Sequence, residues 1–472
     1  MDDARPGTRQ KALALNLKPS AYGTIAEIGG GQEVARWFFH VGGAAGTIAK
    51  TISAYDMAVS DSLYGAAGRY VSRQRLTAML EREYAELVNR LGPERGAQTA
   101  FFAFADTVAT ASYHRAGPGR GWLGIRFQAS PGAPPSELLI HAHLLDPSAA
   151  QQQEALGVLG VNIVYAAYFY REDPPAFIAS LLDDLSRARV EIDMVRFSGP
   201  AFAGVDNRLM SLQLVEQSLT EAAMFTATGE VVQPSEVLYK KPVLAERGRF
   251  RPVTKLTLDL LERARDRFVR EPEVAGETPI VLMEMTLHDL ALDEGVDHAD
   301  FLARTDVLGR LGFDVLISRF ELYYQLADLL AASTDRLIGI AAGLPALSEI
   351  AQSKYYEGLP GGILEATGRL FKRKVRMYVY PSRPPGSTEV LTAATVPVAA
   401  PWHHFRDLLL ETGHLVALED YHPDYLSIST ADVLARMQRG DPSWESLVPP
   451  IVAETIKAGG LFGYRPSPPS SQ

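Results

Sequence analysis

The feature that most constrains this chain is the alternation in its second half. PIVLMEMTL, FDVLISR, RLIGIAAG, KVRMYVYPS and HLVALEDY are short apolar runs. Between them stand HADFLARTDVLGRLG, YYQLADLLAAS, LPALSEIAQSKYY followed by GGILEATGRLF, and WHHFRDLLLETG, whose apolar residues recur every three or four positions. Short apolar runs separated by runs of helical period predict strands joined by helices. Strands joined through helices lie parallel, in a sheet covered on its faces. Ligands in such sheets sit in the loops beyond the carboxyl ends of the strands, here 286–289, 318–321, 342–344 and 380–383. The fold class expected is α/β, with a parallel βα domain over 278–425.

Before that domain the texture differs. FFAFADTVAT, GWLGIRFQ, ELLIHAHLL and RVEIDMVRF read as strands joined by turn-rich loops, and MSLQLVEQ, EAAMFT and EVLYKKPVLAERG extend the same β-rich stretch. Helices are expected over 72–91, with Ser72 as N-cap and Gly92-Pro93 as the stop, over 149–170, and over 175–185. TKLTLDLLERARDRFVREP reads as a further long helix, and the polar segment EPEVAGE after it marks a boundary. The organisation expected is a flexible lead-in over 1–20, an α+β domain over 21–272, the βα domain, a helical tail over 426–464, and a disordered Pro/Ser end over 465–472.

Composition narrows the function. Hydrophobic residues make up 47% and charged residues 22%, a globular balance. The net charge of −10 disfavours nucleic acid as a partner, since that affinity rests on neutralising phosphates. The absence of cysteine excludes disulfides, thiolate nucleophiles and cysteine-held metals. No uninterrupted apolar run is long enough for a membrane span and the N-terminal residues carry no apolar signal core, so no membrane partner and a cytoplasmic location are expected.

The segment 22–56 holds two glycine clusters. Gly29, Gly30 and Gly31 stand between a strand, TIAEI, and a helix carrying Val34, Trp37 and Phe38 on one face, the position of a phosphate-binding turn. The G-x-G-x-x-G spacing is absent, because Val34 stands where the third glycine belongs, and Glu27 and Glu33 would repel phosphate. Those glycines are either a ligand turn or a structural one. The second cluster, GGAAGTIAKT, lacks the glycine that must directly precede the lysine of a P-loop. A glycine/alanine-rich helix packed on a neighbour is the plainer reading, and Lys50 remains a ligand candidate.

Lys240, Lys241, Arg247, Arg249 and Arg251 concentrate positive charge in an acidic chain and form a candidate anion-binding loop, the preferred partner of the glycine turn. Glu284 and His288 stand at a strand end and are the acid–base candidates. Tyr323, Tyr324, Tyr355 and Tyr356 either line a pocket or serve as packing. His141 and His143 lie two apart in a strand and share a face; with Asp106 and His114 they outline a metal site, but no third ligand follows from spacing alone. No cofactor is identified.

At the C-terminus, SIST over 427–430 and LVPPIVAETIKAGGLFGY over 447–464 resemble the end of bacterial nicotinate-nucleotide adenylyltransferases. The resemblance implies that Ser429 and Thr430 supply hydroxyls to ATP phosphates at a helix start. Leu434 stands near where that family has its phosphate arginine, with Arg436 two further on, and the family's H-x-G-H motif has no counterpart. The whole chain also resembles a bacterial family to which the names nicotinate-nucleotide adenylyltransferase and TonB-dependent receptor have been transferred; no barrel pattern supports the second. Two functions are expected on these grounds. One is a soluble enzyme binding a nucleotide or phosphorylated small metabolite, related to pyridine-nucleotide metabolism and of transferase type. The other is a noncatalytic, self-associating binding or scaffold protein, a homo-oligomer.

Overall fold

The computed structural model describes residues 5–112, 117–292, 295–372, 374–384 and 386–466. The chain divides into two units, Met1–Ala223 and Met224–Gln472.

The first unit opens with α1 (Thr8–Asn16), β1 (Ala21–Ile28), α2 (Glu33–Val41), β2 (Ile48–Ile52), α3 (Met57–Tyr64) and α4 (Arg73–Arg95). It continues with β3 (Ala100–Ala109), β4 (Gly119–Gln128), β5 (Pro135–Leu144), α5 (Ala149–Phe169), α6 (Pro174–Ser180), β6 (Val190–Ser198) and α7 (Asn207–Glu216). Its sheet runs β2-β1-β3-β4-β5-β6. β1 pairs in parallel with β2 and β3, and the strands from β3 to β6 pair antiparallel. One face buries Ile25, Phe102, Phe104, Ile125 and Ile140 beneath Val34 and Phe38 of α2 and Leu156, Leu159 and Ile163 of α5. On the other face Tyr84 and Leu87 of α4 cover Phe101 and Ala103. This is the α+β part.

Four local readings change. Residues 8–16 are no flexible lead-in: Ala12 and Leu15 are buried in the core, and the buried Lys11 ammonium donates to Asn162 Oδ1 at 2.8 Å and Asp183 Oδ2 at 2.6 Å. MSLQLVEQ is helical, within α7, where the Asp206 side chain accepts from Arg208 N at the cap and Met210 and Leu214 reach the core one turn apart. Ser72 caps α4 as expected, but the helix runs through Pro93 to Arg95. A proline in the last turn forfeits one backbone bond and has no following turn to disrupt. The second glycine cluster forms a turn, with positive φ at Gly42 and Gly43, that leads into β2.

The second unit carries an eight-stranded sheet that begins with β7 (Ala222–Phe225), which crosses the junction, and β8 (Val231–Val232). There follow α8 (Pro234–Val237), β9 (Val243–Arg247), α9 (Lys255–Phe268), β10 (Ile280–Thr286), α10 (Leu287–Leu290) and the short pair β11 (Ala291–Leu292) and β12 (Gly295–Val296). Next come α11 (His298–Arg310), β13 (Asp314–Ser318), α12 (Tyr323–Ser333), β14 (Ile338–Gly343), α13 (Leu344–Ile350), α14 (Gly362–Leu370) and β15 (Val375–Tyr380). The unit closes with α15 (Ala400–Glu411), β16 (Leu415–Ala417) and the helical tail α16 (Thr430–Arg439) and α17 (Pro450–Gly459). The expected Pro/Ser end from 467 onward lies outside the described residues.

Six strands, β9, β10, β13, β14, β15 and β16, are mutually parallel. Counted first to sixth along the chain, their order across the sheet is 3-2-1-4-5-6. The expected boundary at 272–278 therefore falls inside this unit, between α9 and β10. β9 pairs with both β10 and β14 and is central to the sheet, so its residues belong with the strands downstream of them. Among the described residues no helix is long and apolar enough to cross a membrane.

Candidate functional site

In a 3-2-1-4-5-6 sheet the chain leaves the first strand toward one edge and later returns to its other side with the fourth. The loops after those two strands diverge, and the crevice between them is where such sheets take ligands. Here the strands are β9 and β14. A cavity of about 610 Å³ opens at their carboxyl ends. The segment after β9 contributes Arg247, Gly248 and Arg249, the turn after β10 Thr286, His288 and Asp289, and the start of α12 Glu321, Leu322 and Tyr323. Glu349, Ile350, Tyr355 and Tyr356 come from α13 and the turn beyond it.

Arg247 anchors the floor. Its Nε and Nη2 donate to the two oxygens of Glu284 at 2.8 and 2.9 Å, and the Tyr323 ring covers its guanidinium at 4.5 Å. Glu284 is wholly buried and also accepts from Ser318 Oγ at 2.7 Å, so its carboxylate is spoken for and shut off from any ligand. Arg249 has 65% of its side chain exposed and pairs loosely with Asp289 at 3.6 Å. The loop holding it is braced from below: Arg304 Nη1 donates to the carbonyls of Arg249, at 3.1 Å, and Asp289, at 2.7 Å, while Arg304 and Arg251 both bind Asp300. Thr286 caps the turn that carries His288, which is exposed. α12 begins at the cavity wall, where Gln325 Oε1 accepts from Leu322 N at 3.0 Å and the N-cap residue Leu322 offers no capping side chain to the N–H groups of the first turn. Burial pushes the Tyr356 phenol up to about 12 and that of Tyr323 higher still, so both stay neutral hydrogen-bonding groups.

The basic stretch does not act as one loop. Lys240 and Lys241 are exposed and precede β9, whereas Arg247 and Arg249 follow it. A five-residue strand at about 3.3 Å per residue keeps the two groups some 15 Å apart. Arg251 is committed to Asp300 and does not line the cavity. Ser429 caps α16 by accepting from Asp432 N, with Thr430 beside it; neither lines the cavity, and Arg436 is paired with Asp432 at 2.7 Å.

The glycine turn belongs to the first unit, and there its chemistry is already used. The Glu27 carboxylate sits at the N-terminus of α2 and accepts from Val34 N at 2.8 Å and Ala35 N at 3.1 Å, where an anionic ligand would otherwise bind. Gly29 has φ +92°, and a Cβ there would stand 1.9 Å from the Val108 carbonyl oxygen; a Cβ on Gly30 would stand 2.3 Å from Leu156. These glycines let the turn lie against β3 and α5. Lys50 bridges Glu83 at 2.6 Å and Glu86 at 3.1 Å; burial disfavours its charge, but the two carboxylates outweigh that and hold its pKa up. Asp106 is buried beside Glu27, apart from the histidines, and His114 lies outside the described residues. His141 and His143 do share a face of β5.

No family model matches the chain, and no curated protein matches it. The adenylyltransferase resemblance of the tail therefore finds no support there. Among solved structures, the competence/damage inducible protein CihA from Agrobacterium tumefaciens is similar at 14% identity, with TM-score 0.25, over 34% of this chain and 96% of that one. A CinA superfamily protein from Enterobacter cloacae is similar at 12% identity, TM-score 0.25, over 35% of this chain and 95% of its own. A competence or damage-inducible protein from Enterobacter asburiae gives 12% identity, TM-score 0.24, over 34% of this chain and 99% of its own. Likenesses this slight carry no argument about function.

Proposed function

We propose that the second unit binds a nucleotide or another phosphorylated small metabolite in the cavity at the ends of β9, β10, β13 and β14. The observation that carries this reading is the place of the cavity, at the direction switch of a 3-2-1-4-5-6 parallel sheet. Its chemistry suits such a ligand. Arg249 and the start of α12 offer charge and N–H groups to phosphate; Tyr355 and Tyr356 offer aromatic faces to a base or pyridine ring. Asp289, Glu321 and Glu349 offer acceptors to sugar hydroxyls or amino groups. His288 is the acid–base group, because it is open to the cavity where Glu284 is closed.

Calorimetric titration of the full chain with ATP, AMP, NAD, nicotinate mononucleotide and sugar phosphates tests this. At least one is expected to bind saturably. Arg249→Ala should weaken it roughly tenfold or more, the loss of a charge-assisted hydrogen bond worth about 1.5–3 kcal/mol. Lys241→Ala should leave affinity unchanged, and His288→Ala should impair any turnover while sparing binding. Three carboxylates on the cavity wall, with Arg247 already neutralised by Glu284, favour a second reading, a cationic small ligand. Polyamine binding that Asp289→Asn weakens and Arg249→Ala does not would select it.

A further inference from the structure

On the sheet of the first unit, His141, His143 and Asp193 bring three donor groups together, all within 4.8 Å of one another. His141 Nδ1 lies 2.6 Å from Asp193 Oδ1, and His143 Nε2 lies 3.0 Å from Asp193 Oδ2. Two features of the backbone build this cluster. β5 sets residues 141 and 143 on one face by its period of two. On β6 the register slips: His141 is opposite Met194 and Ala142 opposite Ile192, so Asp193 is the extra residue of a β-bulge. A bulge re-aims a side chain, and this one brings the carboxylate to the two imidazoles.

We propose that His141 Nδ1, His143 Nε2 and a carboxylate oxygen of Asp193 form a binding site for a divalent transition metal ion of the zinc type. Two imidazoles and one carboxylate are a borderline donor set suited to Zn²⁺, Co²⁺ or Ni²⁺, whereas Mg²⁺ and Ca²⁺ require mostly oxygen. His141 and Asp193 are buried, while His143 keeps 29% of its side chain exposed, which leaves an entry and an open coordination position. At metal–ligand bonds of about 2.0–2.1 Å, tetrahedral donors lie about 3.3 Å apart, so the Asp193 carboxylate must part from His141 Nδ1 by about 0.7 Å and from His143 Nε2 by about 0.3 Å. Binding therefore shifts the buried His141–Asp193 pair as well as the partly exposed His143. Glu191, opposite His143 on β6, is held by Thr220 Oγ1 at 2.6 Å and is no ligand in this arrangement. Trp122 lies against His141, ring centroids 5.0 Å apart, and is a built-in reporter.

The test uses the full chain, stripped with a chelator and titrated with ZnCl₂ by calorimetry and with CoCl₂ by visible absorption and tryptophan fluorescence. One equivalent of Zn²⁺ should bind. Co²⁺ should give the intense d–d bands of a four-coordinate site and quench an emission component that Trp122→Phe removes. His143→Gln should weaken Zn²⁺ binding by roughly 10-fold or more without moving the unfolding temperature, and MgCl₂ should not compete. Absence of saturable binding by the wild-type chain overturns the proposal, as does binding that His143→Gln and Asp193→Asn both leave unchanged. Should either variant fail to fold, the Co²⁺ spectrum of the wild type decides: the weak spectrum of a six-coordinate aqueous ion would sink the site.

Discussion

Asp106→Asn should stabilise the chain, and the gain should grow with pH. Asp106 on β3 and Glu27 on β1 face each other in parallel register, and both are fully buried. Both Glu27 oxygens are occupied by the N–H groups of Val34 and Ala35. Asp106 accepts from Ile28 N at 3.3 Å with one oxygen, while the other finds no partner among the described residues. Burial above all, and then the Glu27 charge, push the Asp106 pKa well above its ordinary 3.8, so its carboxyl holds its proton to higher pH in the fold than in the unfolded chain. The folded state therefore binds one proton more, and stability falls as pH rises from the ordinary carboxylate range toward the folded pKa. One proton's difference is worth at most about 1.4 kcal/mol per pH unit, so the wild type should lose stability between pH 5 and pH 7 at no more than that slope. Asparagine keeps the acceptor for Ile28 and mimics the neutral carboxyl. The advantage of the variant should thus widen as pH rises from 5 to 7. Urea unfolding of the full chain at both pH values checks this, with hydrogen exchange of β1 and β3 peptides reporting the first unit. An advantage that stays constant across pH, or shrinks as pH rises, would mean that Asp106 is ionised in the fold, and the argument would fail.

Glu284→Ala should destabilise the second unit by about 3–5 kcal/mol, because it strands the buried guanidinium of Arg247, whereas His288→Ala should stay within roughly 0.5 kcal/mol of wild type. Thermal unfolding of both variants separates a structural carboxylate from an exposed site residue, and equal effects would contradict the roles given to them. Gly29→Ala should cost about 2 kcal/mol or more, since it combines a positive φ with a Cβ driven into the Val108 carbonyl. Unaltered denaturant stability would show that the turn is not packed against β3 as described.

The parallel half of the fold is legible because its signal is local. Each strand of 278–425 is a short apolar run, each helix has its own period, and the alternation itself dictates parallel pairing. What periodicity lacks is spatial order. Nothing in VLAER marks it as the central strand of the second sheet, since its neighbours β10 and β14 lie downstream and pair with it only in space. Segments before 272 therefore group with their sequence neighbours when read locally. Lys11 misleads in the same way: a lysine in a mixed-charge N-terminal stretch reads as solvated until Asn162 and Asp183, more than 150 residues away, supply its partners.

The candidate site divides along the same line. His288, Asp289 and Glu321 fall at strand ends, and that rule places them by position alone. Arg247 and Arg249 stand out by charge, but so do Lys240 and Lys241, and only the strand between them sends the two pairs to opposite ends of the sheet. Glu349 and Tyr355 enter the cavity because α13 and the turn beyond it happen to reach its rim, a length that no local pattern fixes. Glu284 and Glu27 carry the general lesson. Each is a carboxylate at a position where catalysis or anion binding is read from sequence, and each is consumed by donors of the protein itself: a buried arginine in one case, two helix N–H groups in the other. A buried charge persists only when its hydrogen bonds are met, and the carboxylates of Glu284 and Glu27 have theirs met within the fold. Reactive groups are better sought where a charged or basic side chain keeps an open face, as Arg249 and His288 do in the second unit and His143 does in the first.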